Sequence, residues 1–182
     1  SVGYGLDKSV LKLPALINIT TTINLSPKQR SVYRVLKTER VMEDGTLLDT
    51  PAKLHATLRQ FLSTVRGQAL EAVLDDTETH ILIFYVFNAS RDKILEIAKK
   101  YKRVIYEQSG HKSDLPKGIP TKPSITLLQY QSGSAGLNLQ YANISIFYEP
   151  SYSWMDMQQA VGRNYRGGTS NLTRHYYFKV DR

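Results

Sequence analysis

The stretch ILIFYVF, residues 81–87, is an unbroken apolar run of strand length. A strand without polar alternation has both faces covered, the condition met inside a parallel sheet packed between helices. Asn88-Ala-Ser90 follows at once, so Asn88 or Ser90 is expected to cap a helix reaching about Tyr101. Ile94, Leu95, Ile97 and Ala98 fall on the buried side of that helix. Downstream, Arg103–Tyr106, Ser124–Gln129, Ile144–Tyr148 and Thr173–Val180 read as four more strands. Gln108–Lys122 is broken by glycine and proline and reads as a loop, and Gly133–Leu139 reads as a turn with a short helix. Strands alternating with helical segments predict an α/β fold, a parallel sheet flanked by helices.

Upstream, the pattern differs. Leu16–Leu25 is β-branched and partly alternating, which predicts a strand. Ser26-Pro27 is a helix start, with Val32, Val35 and Leu36 assigned inward. A turn is expected at Asp44-Gly45. Thr50-Pro51 opens another helix with Leu54, Leu58, Phe61 and Leu62 on its apolar face, broken near Arg66-Gly67. The acidic connection Asp75–Thr79 marks the expected boundary: residues 1–76 form an N-terminal, mainly helical extension, and residues 77–182 form the α/β domain.

With 182 residues and 41% hydrophobic side chains, the chain can bury a real core. A formal charge of +8 points to a polyanionic partner. There is no cysteine, so a disulfide framework, a thiolate zinc site and a cysteine nucleophile are excluded. No histidine stands at ligand spacing from a carboxylate, and no metal site is expected. The longest apolar run is too short to cross a bilayer, which predicts an intracellular protein without a membrane segment. The first residue is Ser, and the chain is expected to be a processed product or a piece of a longer protein.

SWMDMQQAVGRNYRGG, residues 153–168, carries the chemistry. Ser153 with Asp156 is a capping-box-like start, and Gly167-Gly168 reads as the stop. Trp154, Met157, Val161 and Tyr165 form an apolar stripe at helical spacing, which assigns Trp154 to the core. Gln159, Arg163 and Arg166 recur on the opposite face. Two guanidiniums there offer planar donor forks that fit phosphate oxygens, so this face is read as a phosphate site.

In this order the segments resemble the second RecA-like lobe of a superfamily 2 helicase, specifically of the Swi/Snf-type ATPases. LPALINITTTINLSPKQRSVYRVL, residues 13–36, resembles the strand and Leu-Ser-Pro-x-Gln-Arg segment that precedes that lobe. ILIFYVF resembles motif IV, and SGSAGLNLQYAN at Ser132–Asn143 resembles motif V. Motif VI, Gln-x-x-Gly-Arg-x-x-Arg, stands intact at Gln159, Gly162, Arg163 and Arg166. SGHKSDLPKGIPTK, residues 109–122, departs from the family in being shorter and proline-broken. The chain also lacks GxxxxGK[ST] and a DExH-type acidic box, which the family carries on its first lobe.

The resemblance implies a motor lobe of a DNA-dependent ATPase, with ATP and Mg²⁺ held mainly by a first RecA-like lobe of the same protein. It implies that this chain alone is inactive, is monomeric and contacts double-stranded DNA. Arg166 takes the arginine-finger role, and Arg163 meets the γ-phosphate or an acidic residue of the other lobe. Gln159 orients water or links the arginines to motif V, and Gly162, Arg163 and Arg166 are the nucleotide-facing residues. Ser132, Gly133 and Ser134 are assigned to a phosphate of the tracking strand, with Asn138 and Lys112 as further nucleic-acid contacts. Asn138 is equally suited to motif VI and to its own backbone. A non-catalytic RecA-like module binding nucleic acid or protein is the alternative. A dinucleotide-binding enzyme is excluded, because NASRDK rather than GxGxxG follows Phe87.

Overall fold

The computed structural model describes residues 13–132, 137–167, 169 and 171–182. The elements run β1 (Leu16–Asn24), α1 (Pro27–Thr38), α2 (Pro51–Val65), α3 (Gly67–Asp75), β2 (Ile81–Tyr85), α4 (Asn88–Lys100) and β3 (Val104–Gln108). They continue β4 (Ser113–Asp114), β5 (Ser124–Gln129), β6 (Ile144–Phe147), α5 (Trp154–Val161) and β7 (Thr173–Asp181). Among the described residues seven strands make one sheet in the order β1-β7-β6-β2-β5-β3-β4. Every pairing is parallel except the two-residue β3–β4 hairpin. That hairpin lies inside the segment expected to be a loop.

β2 is the centre, and all five of its residues are buried. Ile81, Ile83 and Tyr85 face one layer, with Leu70, Ile94 and Ile97 from the helices and Ile125, Leu127 and Ile146 from the neighbouring strands. Leu82 and Phe84 face the other, with Leu128, Phe147 and Ala160. Two apolar layers at the even and odd positions are why the run shows no alternation. On the second face Phe84, Phe147 and Tyr177 stack in succession across β2, β6 and β7, with centroids 5.3 and 4.7 Å apart. Offset aromatic pairs of this kind add about 1 kcal/mol each beyond burial.

β1 pairs with β7 over all nine residues. Ile23 and Leu25, together with Leu62 and Val65 of α2, belong to the same core cluster as β2. The expected boundary at residues 76/77 therefore falls between two segments that share one sheet and one core. α1 starts where expected: Ser26 and Gln29 form a reciprocal capping box, and Pro27 supplies the fixed φ of the first turn. Its buried residues are Tyr33 and Leu36, whereas Val32, assigned inward, is exposed. Gly45 adopts φ 83° at the tip of the Asp44-Gly45 turn, a conformation a Cβ disfavours.

Because the main strands run parallel, their carboxyl ends share one edge. From β2 the chain builds β3 and β5 on one side, then crosses to build β6 and β7 on the other. Such a reversal leaves a crevice beyond the carboxyl ends, where α/β sheets hold their ligands.

Candidate phosphate-facing site

The segment after β6 meets that crevice. Ser153 caps α5 by accepting from the Asp156 N–H at 3.2 Å. The helix does not continue to Gly167 as the spacing suggests; it ends at Val161 with Gly162 as its C-cap. Gln159 is helical and exposed, while Arg163 and Arg166 lie in the loop beyond, so the three do not share a helix face. Trp154 is 75% exposed, not core; Met157 and Val161 are the α5 residues of that stripe packed on the second cluster. One turn of an eight-residue helix leaves Trp154 beyond the sheet's reach, which spacing alone could not reveal.

Tertiary bonds end the helix. Asn164 is wholly buried, and its amide donates to the Ala142 carbonyl at 3.0 Å. Its Oδ1 lies 3.1 Å from Nε2 of His175 on β7. An amide oxygen can only accept, so His175 is the Nε2–H tautomer, and its buried Nδ1 has no partner among the described residues. Burial pushes the His175 pKa down from 6.5 to about 4. Thr169 Oγ1 donates to the Asn164 carbonyl at 3.0 Å and accepts from the Arg166 N–H at 3.2 Å. Gln140 Nε2 reaches the Gly167 carbonyl and Thr169 Oγ1, each at 3.1 Å, and Leu139 N–H donates to the Arg163 carbonyl at 3.2 Å. The motif V segment and the arginine loop are thus sewn together through Leu139 and Gln140. Gln140 stood in the motif V stretch without an assigned role, and His175 stood in no motif; they act on the loop backbone and through Asn164 respectively.

Arg163 is 8% exposed and lines a narrow slot with Phe84, Tyr130, Asp156 and Gln159. Its pKa is lowered, first by burial and then by the charge of Arg166. Arg166 is half-buried. A second guanidinium near enough to lower the Arg163 pKa concentrates positive charge here, and an anion would relieve it.

The expected nucleic-acid residues are arranged differently. Ser132 Oγ is within donating distance of the Gln108 and Gln129 carbonyls, at 2.9 and 2.8 Å, which ties the ends of β3 and β5. Asn138 is exposed and accepts from its own Gln140 N–H at 3.2 Å, choosing its backbone over motif VI. Lys112 lies on the β3–β4 hairpin and pairs loosely with Asp114 at 3.6 Å. Gly133 and Ser134 lie outside the described residues. Among the described residues, no group of three or more His, Asp and Glu could hold a metal ion, and no helix is long and apolar enough to cross a membrane.

Sequence reasoning missed Glu149, the residue that anchors this edge. It is 1% exposed and accepts from the Val86 and Phe87 N–H groups at 2.8 and 2.9 Å. The hydroxyls of Ser63 and Ser90 complete its shell. Neither Asn88 nor Ser90 caps α4; Phe87 is the N-cap residue without a side-chain bond, and Glu149 supplies the acceptor from across the fold. A carboxylate there also suits the positive end of the helix dipole.

No protein-family model matches the chain, and no curated protein matches it. Solved structures do. The C-terminal part of the Fun30 ATPase domain superposes with a TM-score of 0.68 at 15% identity, over 93% of this chain and 86% of that one. The Sulfolobus solfataricus SWI2/SNF2 ATPase core, solved in complex with double-stranded DNA, gives 0.60 at 19% identity, over 96% of this chain and 43% of that one. The fold is that of the C-terminal RecA-like lobe of a Swi/Snf-type ATPase, as the motifs implied.

Proposed function

We propose that this chain is the second motor lobe of a DNA-dependent ATPase of the translocase type, acting inside the cell on double-stranded DNA. The observation that carries the proposal is the arginine loop itself. Arg163 lines a slot at the carboxyl ends of β2 and β5, and the loop that carries it and Arg166 is bonded to Leu139 and Gln140 of motif V. Phosphoryl transfer needs positioning and charge neutralisation more than covalent help from the protein. ATP, when bound, supplies the γ-phosphoryl group. A P-loop lobe of the same protein holds it with Mg²⁺, since the cation pair on this side fits phosphate oxygens and offers the metal no carboxylate cluster. Arg166 stabilises charge on the transferring group, Arg163 meets the γ-phosphate or an acid across the cleft, and Gln159 orients water from the exposed face of α5. Gly162, the C-cap of α5, stands between them as a nucleotide-facing residue. Ser132, Gly133, Ser134, Asn138 and Lys112 are the residues assigned to the DNA backbone. Bonds between the two segments couple lobe closure to movement of the strand. The chain alone is monomeric and hydrolyses no ATP.

The 8% exposure of Arg163 favours a second reading, a non-catalytic module that binds nucleic acid or protein. One experiment separates them. In a protein joining this lobe to a P-loop lobe, Arg166→Ala is expected to lower DNA-stimulated ATP turnover by ~10³ or more. Turnover within a few-fold of the parent rejects the motor reading and leaves the binding module.

A further inference from the structure

A cavity of about 330 Å³ opens at the other end of the same edge, between α1, α2 and the segments following β2, β6 and β7. It shares no lining residue with the slot of Arg163. Four cationic side chains line it: Lys37 from α1, Arg59 from α2, Arg66 at the α2–α3 junction and Arg182 after β7. Among the described residues none of the four makes an ion pair. Among the described residues Glu149 is the one acidic side chain on the wall, and both of its oxygens are taken by backbone and serine donors. It draws on Arg66 at longer range, and burial together with Arg59 and Arg182 works against the charge of Arg66. One acid against four bases leaves an uncompensated excess of positive charge in a concave, partly apolar site.

The donors are also held in place. Arg59 donates to the Pro150 carbonyl at 2.8 Å, and its guanidinium lies between the rings of Tyr152 and Phe87, 3.8 and 5.2 Å from their centroids. Arg66, 8% exposed, spends its Nε on the Phe178 carbonyl at 3.3 Å. Fixed guanidinium forks with donors to spare recognise phosphate oxygens.

We propose that this cavity binds a compact, multiply charged phosphoryl anion of the pyrophosphate or polyphosphate class, ligated by Arg59, Arg66, Arg182 and Lys37. Charge density selects the class: a polynucleotide spreads single charges along a groove, whereas these cations converge on one pocket with Arg66 withdrawn inside it. The assignment does not rest on the motor reading, because it uses none of the same residues.

The test is calorimetric titration of the 182-residue chain with sodium pyrophosphate at constant ionic strength, with sodium phosphate and a duplex oligonucleotide in parallel arms. Saturable one-site binding of pyrophosphate, tighter than that of phosphate, is expected. Arg59→Gln and Arg182→Gln should each weaken it by on the order of tenfold to a hundredfold, the loss of one charged hydrogen bond. Lys37→Gln, an exposed side chain on α1, keeps the test open if Arg59→Gln fails to fold. Affinity unchanged in these variants overturns the site, as does affinity lost in Arg166→Gln instead. Duplex DNA that displaces pyrophosphate, and that loses affinity equally in Arg59→Gln, overturns the small-anion class.

Discussion

Glu149 and Arg163 flank α5 and are both withdrawn from water, 1% and 8% exposed, yet the fold treats them differently. Glu149 is met by donors from α2, the β2–α4 turn and α4 itself, so its charge is spent on joining elements. Arg163 accepts at its carbonyl from the Leu139 N–H, and burial, then the charge of Arg166, lowers the pKa of its guanidinium. A buried carboxylate whose donors come from three separate segments is structural. The difference assigns stability to the Glu149 end of α5, and the proposed chemistry lies at the other.

That contrast can be broken by mutation. Glu149→Ala strands four donors around an empty place, and breaking such a buried constellation is expected to cost about 3–5 kcal/mol in urea-induced unfolding. A loss below about 1 kcal/mol would mean the Glu149 shell is not structural at all.

On the loop side, His175 provides a pH test. Its folded pKa of about 4 lies below the unfolded 6.5, so between those values the unfolded chain binds the extra proton. Stability therefore falls as pH drops through that window, by on the order of 3 kcal/mol when the shift is fully expressed. Unfolding measured at pH 7 and pH 4 should show this slope reduced in His175→Gln. An equal slope in both proteins would remove His175 from the loop's support.

Asn164→Ala unpairs the Ala142 carbonyl and the His175 N–H, and about 2 kcal/mol should be lost in the same assay. The smallest effect is Trp154→Ala, expected within about 0.5 kcal/mol of the parent for an exposed side chain. A loss of about 3–5 kcal/mol would restore Trp154 to the core.

The parallel sheet was legible because ILIFYVF can satisfy only a two-faced strand, and because Ser26-Pro27 and Thr50-Pro51 carry their own caps. The hairpin at Ser113–Asp114 was not, since two residues have no periodicity. In the candidate site, the residue types at 159, 162, 163 and 166 could be read from spacing. Their placement on one helix face could not, because the helix ends where Asn164 finds Ala142 and His175, partners 22 and 11 residues away.

The sequence by itself determined the α/β layering, most helix starts and the cationic segment after β6, all written in local periodicity and capping. Only the tertiary structure decided that α5 stops at Val161, that Glu149 caps a helix from another segment, and that Lys37, Arg59, Arg66 and Arg182 share a cavity. Each of those rests on polar groups distant in sequence, whose pairing is fixed by where the strands bring them and not by any pattern along the chain.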